Sequence, residues 1–182
     1  VSKSTVMIGG LGGQGVLLFG QMLAQAGMMR YKNVVYFPNY GGLVRGGASE
    51  CTVSLSDEVV HSPILLNPDV AVAMSAGYAT AFENRVRSGG MLLVDSSIVQ
   101  NKAIRKDVKV YSIPATAAAL ELGDKRIANL ILLGAYLRIA DIPLVQEVEG
   151  FLEKKLGAGR NKHMLDVNRK ALHKGVSLVE VG

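Results

Sequence analysis

The chain has 182 residues, 49% of them hydrophobic and 19% charged, a balance that fits a folded core and excludes a disordered segment. A net charge of +5 is compatible with an anionic ligand or an acidic partner, but no aromatic residues interleave with the Lys/Arg-rich stretch between Glu153 and Lys174, so single-stranded nucleic acid is not expected and a solvated helix face is the simpler account. One cysteine, Cys51, cannot make an internal disulfide or hold an iron–sulfur cluster alone.

In chain order, Ser4–Ile8 reads as a strand ending in Gly9-Gly10, and Gln14–Arg30 as a helix with Leu17, Leu18, Met22, Leu23, Ala26 and Met29 at helical spacing. Val34–Phe37 follows as a buried strand stopped by Pro38 and Asn39, making a strand–turn–helix–strand unit with parallel strands. Tyr40–Gly47 is a glycine-rich loop. Ser49–Ser56 alternates as a strand with Cys51, Val53 and Leu55 on one face, and Val59–His61 is expected to pair with it. Asp69–Met74, Met91–Asp95 and Val108–Ser112 are further strands, with a helix over Tyr78–Val86 closed by Gly89-Gly90. The remainder is helical: Thr116–Leu122 with Gly123 at C′, then Ile127–Ile139, Leu144–Lys155 and Lys162–Lys174.

The expected fold class is therefore α/β. A single Rossmann-like domain, residues 1–182, has a mostly parallel sheet flanked by helices, an antiparallel segment near Ser49–His61 and a helical C-terminal part. No stretch has the length and apolarity of a membrane span, and the N-terminus lacks a signal-peptide pattern, so a cytoplasmic location is expected.

Gly10-Leu11-Gly12-Gly13-Gln14-Gly15 fits G-x-G-x-x-G between a strand and a helix. Such a turn brings backbone N–H groups and the positive end of a helix to an anion; it also serves simply to pack helix on strand, and the motif alone leaves both readings open. An NAD(P)-dependent dehydrogenase needs in addition an acidic residue at the end of the second strand to hold the ribose. No Asp or Glu occurs between Gly15 and Glu50, and Asn39 is a poor substitute. The candidate binding residues are Gly10, Gly12, Gly13, Gln14 and Gly15 in the turn, and Arg45, Gly46 and Gly47 in the second glycine loop. Arg45 suits a phosphate, a carboxylate or a subunit salt bridge, and Gln14 suits a ligand contact or an ordinary place in the first helical turn. Asn129, on an otherwise apolar helix, is expected to hold loop backbone such as that of the glycine turn, and Asn168 invites the same reading; Cys51 is expected to be a small core residue, and His163 and His173 to lie at the surface. No metal-ligand spacing and no catalytic constellation stands out.

Three segments in this order, GLGGQG at Gly10–Gly15, YGGLVRGGAS at Tyr40–Ser49 and ANLILLGA at Ala128–Ala135, with Pro68-Asp69 and Asn168…Ala171…Gly175, resemble the gamma subunit or fused gamma domain of 2-oxoacid:ferredoxin oxidoreductases, and the small subunit of indolepyruvate oxidoreductase. Gly42-Leu43 stand where many members carry Pro or Glu, which leaves the 2-oxoacid branch open. The resemblance implies a multi-subunit enzyme that converts a 2-oxoacid to an acyl-CoA and reduces ferredoxin. Alpha and beta subunits would hold thiamine diphosphate, and a delta subunit or domain Fe–S clusters. This chain would bind no cofactor alone and carry no catalytic residue, completing the assembly and lining the coenzyme A path. The competing readings are a free-standing NAD(P)-dependent oxidoreductase and a nucleotide- or CoA-binding module without redox work.

Overall fold

The computed structural model describes residues 3–40, 47–100, 105–156 and 162–179. Strand β1 (Lys3–Leu11) is apolar through its centre because both of its faces are covered: Val6 and Ile8 point into one core, Met7 into the other. It runs further than its apolar residues suggest, since Gly9, Gly10 and Leu11 continue the ladder opposite Glu50, Ser49 and Ala48. Helix α1 (Val16–Gly27) then buries Val16, Phe19, Met22, Leu23 and Ala26, the helical stripe expected of an element laid on a sheet.

The next step departs from the expected unit. β2 (Asn33–Tyr40) does not pair with β1; β3 (Ala48–Ser56) lies between them, antiparallel to both. β2 therefore runs in the direction of β1 but one strand away, at the sheet edge. Local pattern specifies that a strand follows α1, but not which neighbour it takes. The slot beside β1 goes to β3, whose Cys51 and Leu55 meet α1 at Gly20 and Gly27. The expected strand at Val59–His61 does not form. That segment crosses the sheet as irregular chain, anchored where Thr52 donates its hydroxyl to the Pro63 carbonyl.

β4 (Val70–Ala73), β5 (Met91–Asp95) and β6 (Lys109–Ile113) add in parallel on the other side of β1, giving the order β2-β3-β1-β4-β5-β6. Helix α2 (Ala76–Arg85) covers one face of this half with Ala79 and Phe82; it ends before Gly89-Gly90, which form the turn into β5 and do not cap the helix. The larger core lies on the opposite face, beneath α1, α3 (Ala115–Glu121), α4 (Ala128–Ile139), α5 (Val145–Leu156) and α6 (Lys162–Ser177). Gly123, at φ 93°, follows α3 at the expected C′ position. α4 is buried from Asn129 through Leu137, which explains its apolarity on all sides. α6 crosses it where Gly134 meets the Leu172 carbonyl and Gly175 meets the Ile131 carbonyl, so close that neither glycine leaves room for a Cβ.

β1 and β4 are neighbours whose following helices lie on opposite faces of the sheet. The chain thus parts outside the carboxyl ends of these two strands, and a crevice opens where ligands of open α/β sheets are expected.

Candidate functional site

The glycine turn occupies this point, and its hydrogen bonds account for most of its shape. The Gly12 N–H donates to the Gly47 carbonyl at 2.8 Å, and the Gln14 N–H to Leu11 at 3.1 Å. The Gln14 side chain bridges two strands: its Oε1 accepts the Leu11 N–H at 2.6 Å while its Nε2 donates to the Met74 carbonyl, just beyond β4, at 2.8 Å. Gln14 therefore precedes the helix, which begins at Val16, and it braces the turn where a place in the first helical turn was one expectation. Gly13 and Gly15 take φ values of 98° and 78°, left-handed conformations that favour glycine. Asn129, buried at the start of α4, donates its Nδ2 to the Gly15 carbonyl at 3.3 Å. It holds the glycine turn, as its position in an apolar helix suggested. Asn168 behaves otherwise: it donates within α6 to the Met164 carbonyl and bonds to no loop among the described residues.

Of the eight expected binding residues, Gly10, Gly12, Gly13, Gln14, Gly15 and Gly47 come together here, joined by the Gly12–Gly47 bond. Arg45 and Gly46 lie outside the described residues.

Beside the turn is a cavity of 450 Å³. Gly12, Gly13 and Gln14 form one wall, and Lys125 and Arg126, from the short 3-10 turn before α4, form another; Ile98 and Leu132 contribute apolar surface. Arg126 is ion-paired with Asp124 at 2.7 Å, a contact that raises its pKa and lowers that of Asp124. Lys125 makes no ion pair among the described residues. Asp95, buried at the end of β5, also lines the cavity, but its carboxylate accepts the Ser97 N–H at 3.1 Å, the Thr116 N–H at 3.1 Å and the Thr116 hydroxyl at 2.6 Å. It closes the start of α3, where Pro114 has no side-chain oxygen to act as a cap. The cavity thus offers backbone donors, one unpaired ammonium and apolar surface, a combination suited to a phosphate attached to a larger group.

Lys125, Arg126, Asp95 and Thr116 were not singled out from the sequence. The only signal was a basic pair just ahead of ANLILLGA, and nothing local ties it to a turn more than 100 residues earlier.

The dehydrogenase geometry is missing. The residue that should face the ribose would end the strand that follows α1, placed parallel to β1 on the side away from β4, yet that slot holds the antiparallel β3. Its acid opposite Gly9, Glu50, is paired with Arg85 of α2 at 3.1 Å. Cys51 is buried, and burial, with the neighbouring Glu50 charge adding to it, pushes its thiol up to about 12 despite a hydrogen bond from the Gly20 backbone. His163 and His173 are exposed, His173 beside Glu149. No cluster of metal-ligating side chains occurs among the described residues, and no described helix is long and apolar enough to cross a membrane.

The family model for pyruvate ferredoxin/flavodoxin oxidoreductase matches residues 5–178. The chain belongs to this family. Among oxidoreductase relatives, the chain is 35% identical to the ketoisovalerate oxidoreductase subunit VorA of Methanothermobacter marburgensis over 93% of its own length, but it spans only 35% of that longer subunit. It is 33% identical to the 2-oxoglutarate synthase subunit KorC of Methanocaldococcus jannaschii, over 81% of this chain and 80% of that one. The keto/oxoacid ferredoxin oxidoreductase gamma subunit of Geobacter sulfurreducens has the same fold, with a TM-score of 0.79, 26% identity and 96% of each chain covered.

Proposed function

We propose that this chain serves as the gamma subunit of a 2-oxoacid:ferredoxin oxidoreductase, residues 1–182 acting as one domain. The observation that carries the reading is likeness to small subunits that the chain matches along most of their own length, KorC over 80% of it and the Geobacter gamma subunit over 96%. In this reading alpha and beta subunits bring thiamine diphosphate and the 2-oxoacid, a delta subunit or domain brings Fe–S clusters, and ferredoxin accepts the electrons, in the cytoplasm. The exposed Val59, Ile64 and Leu66 on the chain crossing from β3 to β4 support a subunit that buries further surface in an assembly.

Within that assembly the glycine-turn cavity contacts coenzyme A. Its free ammonium and backbone donors suit the phosphates of that thiol carrier, and its apolar wall suits the rest of the molecule. Arg45, two residues before Gly47, would add a second cation.

Anaerobic co-purification of the tagged chain from its host tests the subunit reading. Recovery of thiamine- and iron-containing partners with 2-oxoacid-dependent ferredoxin reduction supports it. A monodisperse chain that binds NAD(P)H unaided overturns it. For the cavity, Lys125→Ala in the assembled enzyme should raise the KM for CoA by about 10-fold, the loss of one charge-assisted contact.

A further inference from the structure

We propose that Gln14 and Asn129 are positioning residues for the anion site, and that neither needs to be the ligand's main contact. The inference rests on the coenzyme A reading of the cavity and adds which side chains set its affinity.

The argument is an account of donors. Among the N–H groups of residues 11–15, that of Leu11 is taken by Gln14 Oε1, that of Gly12 by the Gly47 carbonyl and that of Gln14 by the Leu11 carbonyl. The N–H groups of Gly13 and Gly15 have no hydrogen-bond partner among the described residues, which leaves them for a ligand. Both residues sit at positive φ, a region in which a glycine is free to take several conformations, so their N–H directions depend on what holds the turn from outside. Two side-chain amides do so from different elements. Gln14 ties the turn to the end of β4 through Met74, and Asn129 ties its last carbonyl, that of Gly15, to the start of α4.

The packing shows how tightly this is arranged. A Cβ at Gly15 would stand 2.5 Å from Asn129 Nδ2, and one at Gly10 would stand 2.6 Å from Gln14 Oε1. By contrast Gly13, which meets the cavity, has no side-chain or backbone atom of the described residues within 4 Å of the place of a Cβ. The two amides are thus pressed against the turn on the side of the fold, while the face toward the cavity stays open. An anion held by two backbone donors loses affinity when those donors wander, because the cost of ordering them then falls on binding.

The test uses the assembled enzyme with Gln14→Leu, Asn129→Leu and Lys125→Ala, each assayed for KM of CoA, KM of the 2-oxoacid and kcat, with thermal melting of the complex alongside. The expected result is a rise in KM for CoA of about 5- to 10-fold in both amide variants, in line with one lost hydrogen bond each. The KM for the 2-oxoacid and kcat at saturating CoA should hold. Gln14 is only partly buried, so its variant remains informative if Asn129→Leu fails to assemble. A raised KM for CoA in Lys125→Ala with no change in Gln14→Leu overturns the positioning role while the CoA site stands. No change in any of the three overturns the CoA reading and this inference with it. A fall in kcat and melting temperature without a shift in KM for CoA overturns it too, since it marks a purely structural role.

Discussion

Gly15 is the residue on which the turn depends most. Its φ of 78° is costly for a residue with a side chain, by roughly 1–2 kcal/mol, and a methyl group would also meet the Asn129 amide. Gly15→Ala should therefore lose about 2–4 kcal/mol of stability, read from the urea midpoint at unchanged slope. A loss no larger than that of an ordinary surface substitution would refute the account. Cys51 gives a second check at this scale. Its buried thiol, raised to about 12, holds almost no thiolate at neutral pH, so alkylation by iodoacetamide, followed by mass, should be negligible in the folded protein and rapid in denaturant. Both residues could be picked out from the sequence, one by its motif and the other by its strand face. Arg126 and Lys125 could not, because their meaning comes from the turn they face.

Among the elements, α4 and α6 cross with the closest approach found at any described glycine. Gly134 and Gly175 let each helix rest against the other's carbonyls, so Gly134→Val forces the pair apart and uncovers a core that includes Ile131, Tyr136 and Leu172. The expected cost is about 3–5 kcal/mol, or loss of the folded chain, measured by calorimetry against wild type. The start of the sheet is tied by Asp69, which accepts the Thr5 N–H at 2.9 Å, the Thr5 hydroxyl at 2.6 Å and Arg87 at 2.7 Å. Burial acts to raise its pKa, but the Thr5 and Arg87 contacts outweigh it and hold the carboxyl below its ordinary value. A carboxyl depressed in the folded state stabilises above its unfolded pKa and loses that effect as pH falls through the folded one. Asp69→Asn should therefore be less stable than wild type at pH 7 by about 1–2 kcal/mol, the difference closing as pH drops below about 4. A gap that stays constant down to pH 2 would contradict this assignment. Neither tie was visible beforehand, since periodicity marks faces of strands but not the carbonyls and hydroxyls that meet across them.

For the molecule as a whole, the subunit reading predicts behaviour of the isolated chain. Val59, Ile64 and Leu66 are exposed between 61% and 74% on one irregular segment, a surface that an assembly would cover. Purified alone, the chain should self-associate in a concentration-dependent way by analytical ultracentrifugation, and Ile64→Asp with Leu66→Asp should reduce that association without lowering the melting temperature. A strictly monomeric wild-type chain would weaken the reading of this surface. A G-x-G-x-x-G turn is common to the subunit and dehydrogenase readings; the lack of an acid between Gly15 and Glu50 already weighed against the dehydrogenase, and the antiparallel β3 in the slot beside β1 adds the structural reason.

From the sequence alone come the α/β class, the placement of the strands and helices except at Val59–His61, the glycine turn, the brace from Asn129 and the family resemblance. These rest on periodicity, on glycine and proline chemistry and on motif spacing, all of which act between near neighbours in the chain. Tertiary structure alone decided that β3 enters between β1 and β2, that Gln14 braces the turn from outside the helix, and that Lys125 and Arg126 meet it across a cavity. Those outcomes depend on which strand pairs with which and on where α4 is laid over the sheet. The free energy that selects them comes from contacts between residues far apart in sequence, and a local pattern carries no record of its distant partner.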